Sequence, residues 1–362
     1  MVANKSLFFI CTGLGNIHRG FETYIHQLAT HLYPTLPIQV LSGNVLPGVS
    51  YPHIPIWHCS RRGWLAKLLF KEEHRRFAFE QMSFFVGMLF MLHNKKQKVF
   101  YLGEYQLYCY LYKWRKWWNL SYSLVLYTGG QASPGLFHPE KDFVHHITDV
   151  YIPYTTQLGF PRERQWLLPH FLDIGFTVDA QSVLMIREQA KGKKILLSVG
   201  LLDISVKRMH LIASLLKNKR EEVFVILIGG DCSETPAVKA AFNEAGWINY
   251  QMLQVPRALL GNYYAAADCF ILCSEKESFG LAYIEAASMN LPVIAHNFKE
   301  IEFVMQGNAF LVDMNAANAA ASVEKIIDSM PVVDTRKWVE DTYSWLALRE
   351  KYISMFTAFA AN

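Results

Sequence analysis

Several features are scarce in this 362-residue chain, and each absence narrows the reading. No apolar stretch reaches the ~18 residues of a membrane-spanning helix, and the longest candidate, Met82–Leu92, reads as a buried helix. The opening MVANKSLFFICTG lacks a secretory cleavage pattern and reads as a first strand running into a glycine-rich loop. The six cysteines (11, 59, 109, 232, 269 and 273) include no C-x-x-C pair and sit mostly in apolar runs. They fit buried thiols in a reducing, cytoplasmic compartment rather than a disulfide framework or a zinc ribbon. There is no internal repeat, no low-complexity tract, no G-x-S-x-G elbow and no histidine pair at H-x3-H spacing. Neither an activated serine nor a catalytic metal is expected, and no cofactor is called for.

What is present is a chain long enough for two ordinary domains, with 52% hydrophobic residues to build their cores. Its net charge of +4 is unevenly placed. Residues 1–180 carry 17 Lys/Arg against 11 Asp/Glu, and residues 181–362 carry 18 against 20. The basic half suits an anionic partner.

The most informative stretch is Cys273–Asn297. The apolar run DCFILC before it reads as a buried parallel strand; a polar loop, a helix opening at Ser278-Phe279-Gly280 and a strand from Pro292 follow. A strand–loop–helix–strand unit binds ligands at the carboxyl ends of its strands. Glu277 lies in the loop and Glu285 in the helix, about 9 Å along the axis from a start at Phe279. Between them the backbone amides of Phe279, Gly280 and Leu281 form an anion cradle. Hydroxyl acceptor, anion cradle and second hydroxyl acceptor match the order of groups in a nucleotide sugar. The motif S-E-K-E-S-F-G-L-x3-E-A-x4-L-P-V-I-A resembles the donor-site signature of glycosyltransferase family 4, retaining enzymes of the GT-B fold. The resemblance implies that Glu277 contacts the transferred sugar, that Glu285 contacts the ribose, and that Ser278 to Leu281 line the donor.

The resemblance extends along the chain with departures. Thr12–Gly20 follows the first strand, Leu7–Cys11, and precedes a helix, Phe21–Leu32. A dinucleotide loop is excluded because His18 stands at the third glycine and no acid ends the second strand, Ile38–Leu41. Gly13 and Gly15 instead resemble the family's diphosphate-facing loop, and Glu22 the acid of its G-x-E-x5-L-A-x-x-L helix. Thr128, after the strand Tyr122–Tyr127, stands where many members carry a histidine; the loop continues to Gln131. Asp142, His145 and His146 (DFVHH) lie a short way on, and one of them is a candidate for positioning the acceptor. Leu167–Phe176 resembles the segment between the two domains, and Asp179–Lys194 reads as a charged, helix-like linker into the second domain. After the strand Ile195–Val199, Lys207 matches the family's diphosphate lysine. Leu201 replaces its arginine, so Arg208 is the candidate second cation. No D-x-D occurs, so the manganese clamp of the other large glycosyltransferase fold is missing.

Arg61–Lys98 and Tyr112–Trp118 are basic and aromatic. Lys67, Lys71 and Arg75 recur every four residues, as on one helix face. Such a surface reads first as a solvated face over an ordinary core; as a binding surface it suits an anionic membrane better than single-stranded nucleic acid. The expectation is an α/β protein with two facing Rossmann-like domains, 1–172 on the acceptor side and 173–338 binding the nucleotide sugar. A helix within 339–362, read as part of one long helix Trp338–Phe356, crosses back to the first domain. The implied function is metal-independent, retaining transfer of a hexosyl unit from a nucleoside diphosphate sugar to a sugar or lipid-linked acceptor hydroxyl, at the inner face of the membrane. The rival readings are a non-hydrolysing sugar-nucleotide epimerase and a scaffold that binds without catalysing.

Overall fold

The computed structural model describes residues 5–17, 20–93, 97–130, 136–173 and 175–361, so His18, Gln131 and Ile174 of the motifs above lie outside it. The chain forms two compact units, Met1–His170 with Arg349–Asn362, and Phe171–Leu348. Each is built on one parallel sheet with helices between the strands.

In the first unit the order is β1 (Ser6–Cys11), α1 (Gly20–Leu32), β2 (Ile38–Ser42), β3 (His53–Pro55), α2 (Trp64–Leu69), α3 (Glu73–Leu92), β4 (Lys98–Leu102), α4 (Tyr105–Trp118), β5 (Ser123–Thr128), β6 (Phe143–His146), α5 (Ile152–Gln157) and β7 (Gln165–Leu167). The sheet runs β3-β2-β1-β4-β5-β6-β7. Its central strands are near-continuous apolar runs, FFIC in β1 and VFYL in β4, as a sheet covered on both faces requires. In α1 the spaced residues Tyr24, Ile25, Leu28, Ala29 and Leu32 are all buried.

Two helix readings are corrected here. The backbone turns extended at Phe70 (φ −135°, ψ 124°), which ends α2 before Lys71. Lys67, Lys71 and Arg75 therefore share no helix face, and Arg75 pairs with Glu72 at 2.8 Å. The Met82–Leu92 segment of α3 is only half buried: Phe84 and Met88 enter the core, while Met82, Val86 and Phe90 face outward.

The second unit contains α6 (Ala180–Gln189), β8 (Lys194–Val199), α7 (Leu211–Leu215), β9 (Val223–Ile228), α8 (Thr235–Glu244), β10 (Tyr250–Leu253), α9 (Leu260–Ala266), β11 (Cys269–Leu272), α10 (Leu281–Ser288), β12 (Val293–His296), α11 (Lys299–Met305), β13 (Phe310–Val312), α12 (Ala319–Ser329) and α13 (Arg336–Tyr343). Its sheet runs β10-β9-β8-β11-β12-β13. The segment read as a linker is α6, capped by Asp179 through the Ser182 amide at 2.8 Å. It is fixed to the unit by Arg187, which donates to both oxygens of Asp268 at 2.8 and 3.0 Å.

The expected single closing helix is two helices. Ser344 is extended (φ −67°, ψ 154°), and its hydroxyl accepts the Ala347 amide at 3.1 Å to open α14 (Trp345–Ala361). From Arg349 onward α14 belongs to the first unit. There Phe356 packs 5.0 Å from Phe9 and 5.1 Å from Tyr101, and Phe359 lies 4.8 Å from Phe143.

One ion pair fixes α4 to the sheet of the first unit. Arg115 donates to the two oxygens of Asp142 at 2.5 and 2.6 Å, and both residues are buried. Asp142 also accepts the Leu124 amide at 3.0 Å and the His138 amide at 2.7 Å. Removing one partner strands a buried charge, so Asp142→Ala is expected to lower stability by ~3–5 kcal/mol. Urea unfolding followed by tryptophan fluorescence measures this; a loss below ~1 kcal/mol would show that the pair does not hold the fold.

Candidate functional site

In the second unit the chain proceeds from β8 outward to β9 and β10, then returns to β11 on the other side of β8. β8 and β11 thus flank the topological switch point, where the crevice at the strands' carboxyl ends is left open to a ligand. The loops that leave these two strands carry the candidate donor residues. Glycine is required at the end of the neighbouring β9: a Cβ on Gly229 would fall 1.6 Å from the Gly200 carbonyl oxygen, so the ends of β8 and β9 touch backbone to backbone.

The loop after β8 is organised by two carboxylates. Asp203 accepts the Val206 and Lys207 amides at 2.9 and 2.6 Å, and Glu234 accepts the Ile204 and Ser205 amides at 2.9 and 3.0 Å. Three ties join it to the loop after β11. The Glu275 amide donates to the Val206 carbonyl at 3.0 Å. Arg208 Nε donates to the Cys273 carbonyl at 2.8 Å. The Lys207 ammonium pairs with Glu277 Oε1, which also accepts the Ser274 hydroxyl at 2.8 Å. Lys207 and Glu277 are thus brought together from 70 residues apart.

Arg208 sits in the left-handed region, with φ +50°. That conformation turns its side chain inward: it is 8% exposed and Nη1 donates to Asn315 at 2.8 Å. Its Nη2 is buried with no hydrogen-bond partner among the described residues. The neighbouring imidazoles do not offset this charge. His210 and His296 are both held below the usual histidine range, by burial first and then by the Arg208 guanidinium.

The helix after this loop, α10, begins at Leu281 rather than Phe279. Gly280 caps it with φ +79°, a left-handed turn that glycine adopts without strain. Phe279 is buried, its ring 5.7 Å from Tyr343, and anchors the loop rather than opening the helix; Ser278 is exposed. The intrahelically unpaired amides therefore start at Leu281, and Glu285 lies about 6 Å into the helix. Glu285 is buried. Its Oε2 accepts the Tyr264 hydroxyl at 3.0 Å, and Arg257 Nη2 lies 2.6 Å from Oε1, off the axis of a hydrogen bond. Arg257 and Tyr264 were not singled out in the sequence: they stand in a turn and a helix whose pattern shows only packing.

The first unit has its own switch point, between β1 and β4. Gly13 follows β1, and a Cβ there would lie 2.3 Å from Glu22 Oε1, so the loop and the buried first turn of α1 are in contact. Gly15 has φ +89° and packs against Asn44 and Leu46. Glu104, after β4, is 6% exposed; its Oε1 accepts the Thr12 amide at 2.8 Å and the Thr12 hydroxyl at 3.1 Å. Thr128 uses its hydroxyl in a tight turn with Gly130.

Two acceptor-side candidates are corrected by burial. Asp142 is the Arg115 partner described above. His145 is fully buried between the Tyr101 hydroxyl (2.8 Å) and the Leu168 carbonyl (2.7 Å), and burial pushes its pKa down to about 3. Both are spent on core hydrogen bonds. No group of three or more His, Cys, Asp or Glu among the described residues is arranged to hold a metal ion.

Residues 185–343 match the family model of glycosyl transferases group 1. No curated protein matches the chain in sequence. Among solved structures it is similar to sucrose-phosphate synthase from Thermosynechococcus elongatus, at 17% identity with 98% of this chain and 100% of that chain covered and a TM-score of 0.72. It is likewise similar to Anabaena HepE in complex with UDP and glucose, at 14% identity, with 98% and 100% covered and a TM-score of 0.72. A third is α,α-trehalose 6-phosphate synthase from Burkholderia multivorans, at 14% identity, with 100% and 99% covered and a TM-score of 0.64. The fold is that of the GT-B glycosyltransferases.

Glu104 gives this region a pH signature. Burial, with Glu22 adding to it, raises its carboxyl from 4.5 to about 7 against the pull of the Thr12 hydrogen bonds. The native chain then holds this proton where the unfolded chain has lost it, so its contribution to stability falls as pH rises from 4.5 to about 7. Melting temperatures measured across that window are expected to fall more steeply for the parent than for Glu104→Gln; parallel curves would contradict the assignment.

Proposed function

We propose that the protein is a retaining glycosyltransferase that moves a hexosyl unit from a nucleoside diphosphate sugar to an acceptor hydroxyl, its donor diphosphate held by Lys207, Arg208 and the amino end of α10. The observation that carries this reading is the buried Arg208 guanidinium, with an unsatisfied Nη2 and no carboxylate hydrogen-bonded to it among the described residues. A buried cation without a counter-charge is costly, and an anionic ligand at the switch point supplies one. The match of residues 185–343 to group 1 glycosyl transferases supports the same reading. So do the UDP and UDP-glucose complexes of the similar Anabaena protein, which make UDP-sugars the first donors to test.

The Lys207–Glu277 pair then has a use. In the free protein each is the other's counter-ion. A diphosphate arriving beside Lys207 replaces the carboxylate, which frees Glu277 to accept hydroxyls of the transferred sugar. As the sugar–phosphate bond breaks, negative charge grows on the leaving diphosphate, and a fixed cation there stabilises the transition state more than the ground state. The departing phosphate takes the acceptor proton on the same face, which gives retention without a separate base and without a metal ion. Glu285, held by Tyr264 and Arg257, takes the ribose hydroxyls.

Incubation with labelled nucleotide sugars and candidate acceptors tests the reaction; transfer is expected to persist in EDTA. Lys207→Ala is expected to cost ~10²-fold in kcat. Glu277→Gln is expected to lower kcat more than UDP affinity, and Glu285→Gln to lower UDP affinity, both read by calorimetry beside turnover. Equal losses in the two carboxylate variants would overturn their separate roles. Absence of binding or turnover with every nucleotide sugar would overturn the enzyme reading.

A further inference from the structure

We propose that the paired helices α3 and α4 of the first unit form a docking face for an anionic lipid surface, centred on Phe90, Trp117 and Trp118. The two helices lie side by side and in the same direction. The Leu107 amide, at the start of α4, donates to Gln81 in the middle of α3 at 3.0 Å. Further along, Phe85 lies 5.6 Å from Tyr110 and 5.7 Å from Trp114. At their carboxyl ends His93 meets Trp114 at 6.0 Å and Trp118 at 5.5 Å. The inner sides of both helices enter the core of the unit, through Phe84, Met88, Leu107 and Leu111.

The outer side has an unusual composition for a surface in water. Met82, Val86 and Phe90 recur at i, i+4 and i+8 and form one outward stripe, in which Phe90 is 97% exposed. Trp117 is 79% and Trp118 53% exposed. Large apolar groups gathered at one place on a surface mark a contact site. The charges decide which contact. From Phe77 to Pro139 the only carboxylates are Glu80 and Glu104, and both are buried. The exposed charges on α4 are the lysines Lys113 and Lys116, beside Trp117; the third cation, Arg115, is turned inward to Asp142. Phenylalanine and tryptophan at the level of the headgroups, with lysine and no exposed acid between Phe77 and Pro139, fit an anionic bilayer interface. No helix among the described residues is long and apolar enough to cross a membrane, so the contact lies along the surface.

This deepens the acceptor side of the function proposed above, since a lipid-linked acceptor would be met at such a surface; it rests on that reading only for its purpose. The test therefore omits the nucleotide sugar. The full chain is sedimented with vesicles of phosphatidylcholine alone or with about one-third phosphatidylglycerol, anionic lipid being the attracting component. Binding is expected to the anionic vesicles only. Phe90→Glu, Trp117→Glu and the double change Lys113→Glu/Lys116→Glu are each expected to weaken it ~10-fold or more. All four positions are exposed, and circular dichroism confirms that the variants fold. Binding that is absent, equal on neutral vesicles, or unchanged by the substitutions overturns the proposal. So does self-association abolished by Phe90→Glu, or capture of a single-stranded oligonucleotide, in a chain that ignores vesicles. Lys207→Ala is expected to bind vesicles as the parent does. Vesicle binding without any sugar transfer would overturn the donor reading alone.

Discussion

Arg208 is the constraint around which the second unit's site is arranged. Its left-handed backbone is strained for a residue with a side chain. The strain is tolerated because the side chain ties the loop after β8 to the end of β11 through the Cys273 carbonyl, and reaches Asn315 beyond β13. Lys207, the residue before it, consequently faces Glu277. One backbone conformation thus aims two adjacent cations in different directions, one inward beneath the loops and one across them.

Much of this was legible from the chain. Buried parallel strands announce themselves as apolar runs: the strands read at Leu7–Cys11 and Ile195–Val199 each differ from β1 and β8 by one residue at the start. The helix read at Phe21–Leu32 is α1, whose apolar residues recur at helical spacing and form its buried face. What failed was punctuation. Nothing in the run Trp338–Phe356 marks Ser344 as a break, because serine is tolerated within a helix; the break comes from pairing with Leu172, a contact distant in sequence. The start of α10 was misplaced because Phe279 is held by a tertiary contact with Tyr343 that local pattern does not contain. For the same reason, four-residue spacing of lysine and arginine suggested a helix face across Phe70–Glu72, where the chain turns.

Residues with chemically suggestive side chains divided by burial. His145 and Asp142 resemble site residues in sequence, yet each already has its full set of partners in the core. Arg257 and Tyr264 had no distinguishing signal, yet they fix the buried carboxylate of Glu285. A side chain's availability to a ligand depends on what else needs it. That is set by contacts such as Arg115 with Asp142, which span 27 residues and leave no periodic trace.

The extended Ser344 has a consequence for how the chain is wired. The first unit consists of two pieces of sequence, and the second is the single piece between them. Leu172, next to the entry into that piece, pairs in parallel with Ser344, close to its exit, and the Leu172 amide donates to the Tyr343 carbonyl at 2.7 Å. Topologically the second unit is an insertion whose two ends are stapled together. Such an arrangement lets one α/β unit be lengthened, shortened or exchanged during evolution without rethreading the other, since the host chain sees only two neighbouring attachment points.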